Sequence, residues 1–432
     1  MPLIPDTYAE LSSSFSTSNT VFTKALETAA LPSGGKYLII VNANTGNSSL
    51  NKNVDVRVTY NGSLLSGSES QRLATSSSDE ERYSYFTLIE TSVSTGTISL
   101  EVKNESSSGS ILVKAATIIC LDLQNLVSGS DYIFEETSLL EENKDSFITR
   151  ESISIPASKK TNGQWLVLAQ ASMKYGTTGI EHHTRISYRG SDTQHECIKR
   201  IKEGQEKDVF YMQKIVGVPF IGYPAHLGGT PKDGSSKSLS IQTKDSESRP
   251  SNTVIENSKI FALRLASVQY SKHTVKTKQA LEADGAFENV AVIENYNPVQ
   301  DDALTTSAGS YRSGKTVGLA YAHFNPKTDD KVGQRIWMNI EYEGSDAVDN
   351  LKNHTIQATS FSDEMSDFGF AFIQDSESSQ TNKTCAFKAK TYHPSSQSFD
   401  ISLCLINLGS PVAEPSPAGR AVLEMNRIIR IR

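Results

Sequence analysis

The sequence predicts an all-β chain: three tandem antiparallel β-sandwich domains of jelly-roll type, followed by an extended C-terminal tail. The first observation behind this is a block that recurs three times. It opens with Gly35-Lys36-Tyr37-Leu38-Ile39-Ile40, then Gly163-Gln164-Trp165-Leu166-Val167-Leu168, then Gly314-Lys315-Thr316-Val317-Gly318-Leu319. A Tyr-x-Gly step follows each opening, at Tyr60/Gly62, Tyr188/Gly190 and Tyr342/Gly344, spaced 25, 25 and 28 residues from the first Gly. Each copy closes on an apolar run: Ile118-Ile119-Cys120-Leu121, Ile260-Phe261-Ala262-Leu263 and Ser402-Leu403-Cys404-Leu405. The second observation is a period of two. Val54, Val56 and Val58 alternate with polar residues, as do Ile98, Leu100 and Val102, and Ile336, Met338 and Ile340. Such alternation marks strands with one face on a core and the other wet. The third is the scarcity of helical signals, with Ser138 to Lys144 the best candidate.

The elements follow in order within each copy. An opening strand starts after a Gly turn. A polar loop leads to the strand that carries the Tyr, and the Gly two residues on permits the positive φ of a tight turn. An aromatic strand comes next: Tyr83-Ser84-Tyr85-Phe86, Val209-Phe210-Tyr211-Met212 or Phe368-Gly369-Phe370-Ala371-Phe372. Then come strands ending in Lys103, Lys244 and Lys390. The closing run is apolar on both faces, as a central strand of a packed sandwich should be. Boundaries fall after each closing run, giving residues 1–127, 128–268 and 269–409 as sandwiches and 410–432 as the tail. Phe147 to Pro156 and Phe287 to Ile293 read as the first strands of the second and third sandwiches.

Composition narrows the function. With 432 residues, each period is long enough for its own core. A net charge of −7 argues against a general nucleic-acid binder, which needs a basic face to displace counterions. No apolar stretch approaches the roughly 18 to 20 residues of a spanning helix, so no membrane partner is expected. Met1 to Asp6 has neither the basic nor the apolar region of a signal peptide, which points to synthesis in the cytoplasm. Four cysteines are few for this length; Cys120 and Cys404 read as buried thiols, each in its own core.

No reactive centre emerges from the residue pattern, and the expectation is no catalytic residue, no metal and no cofactor. Glu181, His182 and His183, with His195 and Cys197 beyond, are the one cluster with metal-ligand chemistry. Only half of a tetrahedral set is visible, so they read as a solvated loop. Ser313-Gly314-Lys315-Thr316 has the last letters of a phosphate-binding loop without its upstream Gly, and serves as the opening turn of the third copy. Asn-x-Ser/Thr triplets at Asn47, Asn61, Asn104, Asn353 and Asn382 follow from an Asn/Ser/Thr-rich composition.

Two segments stand outside the repeat. The apolar loop 217–229 in the second copy has no counterpart in the others, and Phe220, Ile221 and Tyr223 are its candidate anchors for another chain. The alternative is packing across the end of its own sandwich or against a neighbouring domain. The tail follows a spacer with Pro411, Pro415 and Pro417. Its Leu423, Met425, Arg427, Ile428, Ile429, Arg430 and Arg432 form an apolar, basic segment that either docks on a neighbouring acidic surface or folds back on the third sandwich.

Tandem sandwiches, Ser/Thr-rich surfaces and a docking tail together make the chain resemble, as a class, the virion structural proteins of tailed bacteriophages. The resemblance implies an exterior capsid decoration or a head–tail accessory protein of the neck or collar. It implies location in the virion and partners among the other capsid, neck or tail subunits, in a multi-copy assembly. A tail or baseplate receptor-binding protein, or a carbohydrate-binding array using Tyr223 or Trp337 as sugar platforms, is the alternative. A polysaccharide-degrading enzyme would need two carboxylates facing each other across a cleft, roughly 5 to 10 Å apart.

Overall fold

The computed structural model describes residues 5–407 except 50–51, 75–79, 92–94, 143, 157–162, 176–179, 189–190, 193–196, 201–205, 219–236, 247–252, 266, 269, 283–284, 297–314, 326–334, 350, 352–354, 358–365, 375–381 and 393–396. Every regular element among these residues longer than one turn is a strand. The first unit runs β1 (Pro5–Glu10), β2 (Phe15–Thr17), β3 (Thr23–Glu27), β4 (Lys36–Asn47), β5 (Lys52–Tyr60), β6 (Ser63–Leu64), β7 (Ser70–Ala74), β8 (Glu80–Glu90), β9 (Ile98–Asn104) and β10 (Ile111–Asp122). The second runs β11 (Tyr132–Glu142), β12 (Ile148–Ile155), β13 (Gly163–Lys174), β14 (Glu181–Tyr188), β15 (Ser191–Asp192), β16 (Cys197–Arg200), β17 (Lys207–Val218), β18 (Lys237–Asp245) and β19 (Val254–Arg264). The third runs β20 (Tyr270–Ala280), β21 (Glu288–Tyr296), β22 (Thr316–Asn325), β23 (Arg335–Tyr342), β24 (Ser345–Asp346), β25 (Thr355–Gln357), β26 (Ser366–Gln374), β27 (Lys383–Thr391) and β28 (Gln397–Asn407).

Each unit is two antiparallel sheets with one strand order. The inner sheets are β1-β10-β4-β8, β11-β19-β13-β17 and β20-β28-β22-β26. The outer sheets are β3-β9-β5-β6, β12-β18-β14-β15 and β21-β27-β23-β24, with β7, β16 and β25 on their far edges. The first strand of a unit pairs with its last, and the first strand of its outer sheet with its last but one; in unit one the short β2 also pairs with β10. This nesting of hairpins across two sheets is the jelly roll. In units one and three the Tyr-x-Gly step is a two-residue hairpin loop. Asn61 and Gly62 have φ of 49° and 78°, and Glu343 and Gly344 have 53° and 76°. Both central residues lie at positive φ, as a type I′ turn demands, so Gly in second place is a steric requirement.

Several expectations need correction. Ser138 to Lys144 is not helical: β11 continues to Glu142 through a bulge between Ser138 and Glu141. The segments from Phe147 and Phe287 form the second strand of their units, since β11 and β20 precede them in the inner sheets. His182 and His183 lie buried on β14, not in a solvated loop. The register also shifts the third closing run by one residue. Leu38 pairs with Leu121, Leu166 with Leu263 and Val317 with Ile406, so Leu403 to Ile406 is the true equivalent. Cys120 therefore faces its own sandwich core, whereas Cys404 faces the core shared between units. Burial pushes the Cys404 thiol up to about 12. Asn47 and Asn104 are buried and hydrogen-bonded to each other, Nδ2 to Oδ1 at 3.1 Å, and so do not present glycan acceptors.

The closing strands are apolar on both faces because both faces are covered. One face packs on the partner sheet, and the other meets the inner sheets of the other two units. Leu38, Ile40, Phe86, Ile119 and Leu121 of the first unit share one buried cluster with Leu166, Leu168, Phe261 and Leu263 of the second. Val317, Leu319, Ala371, Ile373, Cys404 and Ile406 complete it from the third. These are the same register positions in each unit, so the repeat buries itself against itself.

Candidate functional site

The side chain that joins the units is set by the repeat. Asn42, Gln170 and Tyr321 each stand seven residues after the opening Gly of their copy. Each is a buried polar residue in a strand otherwise rich in aliphatics, and a buried polar group must find partners. Each finds at least one on the aromatic strand of a neighbour. Asn42 donates through Nδ2 to the Gly369 carbonyl and accepts at Oδ1 from the Ala371 N–H, both at 3.0 Å. Gln170 accepts at Oε1 from the Phe86 N–H at 3.0 Å and donates to the Gly67 carbonyl at 3.2 Å. The Tyr321 hydroxyl donates to the Tyr211 carbonyl at 3.2 Å. Register makes Ser84, Tyr211 and Gly369 equivalent, and likewise Phe86, Gln213 and Ala371. Unit one thus reaches unit three, unit two reaches unit one, and unit three reaches unit two. The cycle closes, and the three sandwiches stand around a pseudo-threefold axis with β8, β17 and β26 at its centre.

The axis is filled asymmetrically. Tyr211 packs edge-on against Phe86 at 6.1 Å and Tyr321 at 5.9 Å between ring centroids. At the equivalent place unit three has Gly369, where a Cβ would fall 2.6 Å from the Tyr211 ring. Gln213 donates to the Leu319 carbonyl at 3.4 Å and to Ser402 Oγ at 3.1 Å. Asn42 supplies the simplest probe of a seam. Asn42→Leu keeps the volume but leaves the buried Ala371 N–H without an acceptor, so urea unfolding should show a loss of about 1–3 kcal/mol.

Among the described residues the seam between units one and two carries the most polar contacts. Lys259, the register partner of Gln170, extends from β19 into unit one. Its ammonium, fully enclosed, donates to the Ser66 carbonyl at 2.8 Å, Tyr85 Oη at 3.1 Å and Thr87 Oγ1 at 3.0 Å. Glu136, at 3.3 Å, is its counter-ion and also accepts from Asn257 Nδ2 at 2.8 Å. Burial pushes the Lys259 ammonium down to about 8, with Glu136 opposing. Ser70 donates to Asp208 at 3.1 Å and Lys207 pairs with Glu69 at 2.6 Å on the same seam.

The histidine cluster resolves differently from a metal site. His182 bonds Asp245 Oδ1 through Nδ1 at 2.9 Å and Thr184 Oγ1 through Nε2 at 3.0 Å. The Thr-His-Asp order resembles a nucleophile with its base and orienting group. All three side chains are fully buried, however, and the imidazole packs on the Phe210 ring, so a substrate has no approach. Burial pulls the His182 pKa down against the pull of Asp245. The network is a satisfied polar core. Among the described residues no cluster of His, Cys, Asp or Glu is arranged to hold a metal. Thr316, from the phosphate-loop-like tetrapeptide, opens β22 and shares a hydrogen bond with Tyr296 at 3.1 Å, as a structural residue does.

The outer sheets repeat a second device. Lys103, Lys244 and Lys390 occupy one register position, opposite Asp55, His183 and Trp337. Each ammonium lies over a Phe just before the first strand of its outer sheet: Phe22 at 5.0 Å, Phe147 at 4.5 Å and Phe287 at 4.7 Å. Arg57 and Arg185 stack on the first two of these rings at 3.8 and 3.5 Å. A cation on an aromatic face contributes about 0.5–1 kcal/mol at a partly exposed site. The seams and this device are what sequence reading missed. The signal for the seams was a polar residue at a constant offset inside an apolar strand. The residues singled out from the sequence, Phe220, Ile221, Tyr223, Leu423, Met425, Arg427, Ile428, Ile429, Arg430 and Arg432, lie outside the described residues.

No protein-family model and no curated protein matches the chain. Among solved structures, it is similar to one described as the triple jelly roll fold and turret assembly of an archaeal virus. Identity is 10%, coverage is 94% of this chain and 83% of that one, and the TM-score is 0.18. It is similar to a structure of infectious bursal disease virus, Gt strain, at 8% identity, 100% and 90% coverage and a TM-score of 0.20. It is also similar to PNGase F, a glycosylasparaginase from Flavobacterium meningosepticum, at 8% identity, 64% and 96% coverage and a TM-score of 0.24. Likeness at this level carries no weight for fold or function, and the jelly-roll assignment rests on the strand order.

Proposed function

We propose that this chain is a non-enzymatic structural protein of a virus particle, and in finer detail an exterior capsid decoration or head–tail accessory protein of a tailed bacteriophage. The observation that carries the reading is the closed cycle of seams. One chain makes a body that three chains make in an ordinary symmetric trimer. Such a body offers three related outer faces, and three weak contacts made together hold far better than one. Jelly rolls recur in capsids and in lectins, and a body with three related faces suits a threefold or quasi-threefold site in a shell. Other virion subunits are the partners under this reading. The receptor-binding alternative differs only in what the outer faces meet.

The test is fractionation. Particles made by the system that encodes the chain are banded in a density gradient, and peptides are quantified by mass spectrometry. The chain is expected in the particle band at a fixed ratio to the major coat protein through a second gradient. Its recovery in the soluble fraction, or a ratio that drifts between preparations, would overturn the proposal.

A further inference from the structure

We propose that the outer sheet of the third unit carries a binding site for an anionic carbohydrate, a sugar bearing a carboxylate, centred on Tyr392, Trp337 and Lys390. The three units provide an internal control: what all three share serves the fold, and what one adds to its surface does not. At the register of Trp337 the other units have Asp55 and His183, and two residues beyond the shared lysine they have Glu105 and Ser246 where unit three has Tyr392. Neither aromatic is needed to build a sandwich. Tyr392 is 57% exposed, and its ring stands perpendicular to Trp337 with centroids 5.3 Å apart. Trp337 is half-buried. The Tyr392 ring lies against the backbone of Gly285, where a Cβ would fall within 2.0 Å of it, so the ring is held in place.

The charge is what selects the ligand. In unit one, Lys103 is neutralised by Asp55 at 2.7 Å. Lys390 has two rings instead, Phe287 at 4.7 Å and Trp337 at 5.3 Å, and among the described residues no carboxylate pairs with it. A pyranose ring presents an apolar C–H face to an exposed aromatic, and its carboxylate finds the Lys390 ammonium beside the platform. Tyr and Trp are also the side chains that anchor contacts at low entropic cost. The site does not depend on the particle reading: the purified chain suffices to test it, while fractionation alone tests the other. In a particle, it would attach the assembly to an acidic glycan coat.

The experiment titrates the purified full chain with oligogalacturonate, oligosialic acid, a neutral cello-oligosaccharide and poly-glutamate, read by calorimetry and tryptophan fluorescence. Trp337 reports on the site, whereas Trp165, the other tryptophan, is buried in unit two. One or both acidic oligosaccharides should bind and shift the fluorescence. Tyr392→Ala and Lys390→Gln should each weaken binding by about tenfold, the first with an unchanged unfolding curve and the second with only a small stability loss from its cation–aromatic contacts. Added salt should weaken it further. Absence of binding to both acidic sugars, equal affinity for the neutral sugar or for poly-glutamate, or binding indifferent to both variants would overturn the proposal.

Discussion

Lys259→Met is expected to cost about 3 kcal/mol of stability at pH 7. The substitution keeps the aliphatic stem but removes the ammonium on which Ser66, Tyr85 and Thr87 of unit one converge. Glu136 loses its counter-ion at the same time. The loss should be local before it is global. Amide exchange should rise around residues 66–87 and in β19 at denaturant concentrations where the outer sheets are still protected. A variant that unfolds as late as the parent, with no change of exchange at that seam, would show that the lysine does not join the two units.

The same residue gives a pH dependence with a definite sign. The folded-state pKa of Lys259, about 8, lies below its ordinary value of 10.5. Below pH 8 both folded and unfolded chains hold the proton, and the folded chain bears the desolvation of a buried ammonium. Between about 8 and 10.5 the unfolded chain holds the proton more tightly, so stability rises with pH. The rise should approach about 3 kcal/mol across the window. Glu136 and the Tyr85 hydroxyl face the ammonium, and burial pushes the Tyr85 hydroxyl up, so it stays neutral over this range. Subtracting the curve of Lys259→Met isolates the contribution: the gap between the two proteins should widen from pH 8 to 10.5.

Gly369→Val is the second large effect. The side chain would enter the space of the Tyr211 ring at the axis, where even a Cβ stands 2.6 Å from a ring carbon. Overpacking of this kind costs about 1–3 kcal/mol. The damage should fall on all three seams, because Tyr211 also packs on Phe86 and Tyr321. Tyr211→Ala removes the obstruction, so in a double-mutant cycle the second change should restore part of what the first removes. Strict additivity would place residues 211 and 369 apart, and the arrangement at the axis would be wrong.

Much of this architecture was legible in the sequence. The repeated opening strand, the Tyr-x-Gly hairpin, the aromatic strand and the closing run are all strands at equivalent places. These signals are local: alternation, an Asn-Gly turn and apolar runs report on a residue's own strand. The way the units close on one another was not legible, because Asn42, Gln170 and Tyr321 share a task without sharing a side chain. The apolar outer faces of the closing strands were read as the mark of a central strand. They also reflect burial against other units, which sequence periodicity does not separate from burial inside one sandwich. The first strands of units two and three were missed because β11 and β20 are edge strands with many polar residues, Glu135, Glu136, Lys272 and Lys276 among them. Ser138 to Lys144 reads as the best helical candidate where a bulge breaks the alternation of β11. His182 looked solvated because its partner, Asp245, lies 63 residues away. The Trp337–Tyr392 platform became visible only once register showed which residues of the other units stand in the same places.

The central claim is the closed triangle of three jelly rolls in one chain, and spin-label distances test it most directly. Residues 105, 246 and 392 are equivalent and exposed, so cysteines placed there in pairs, with Cys197 replaced by Ser, carry one label on each unit. Pulsed dipolar spectroscopy should give three similar distances. One distance close to the sum of the other two would mean sandwiches strung in a row, and would contradict the account.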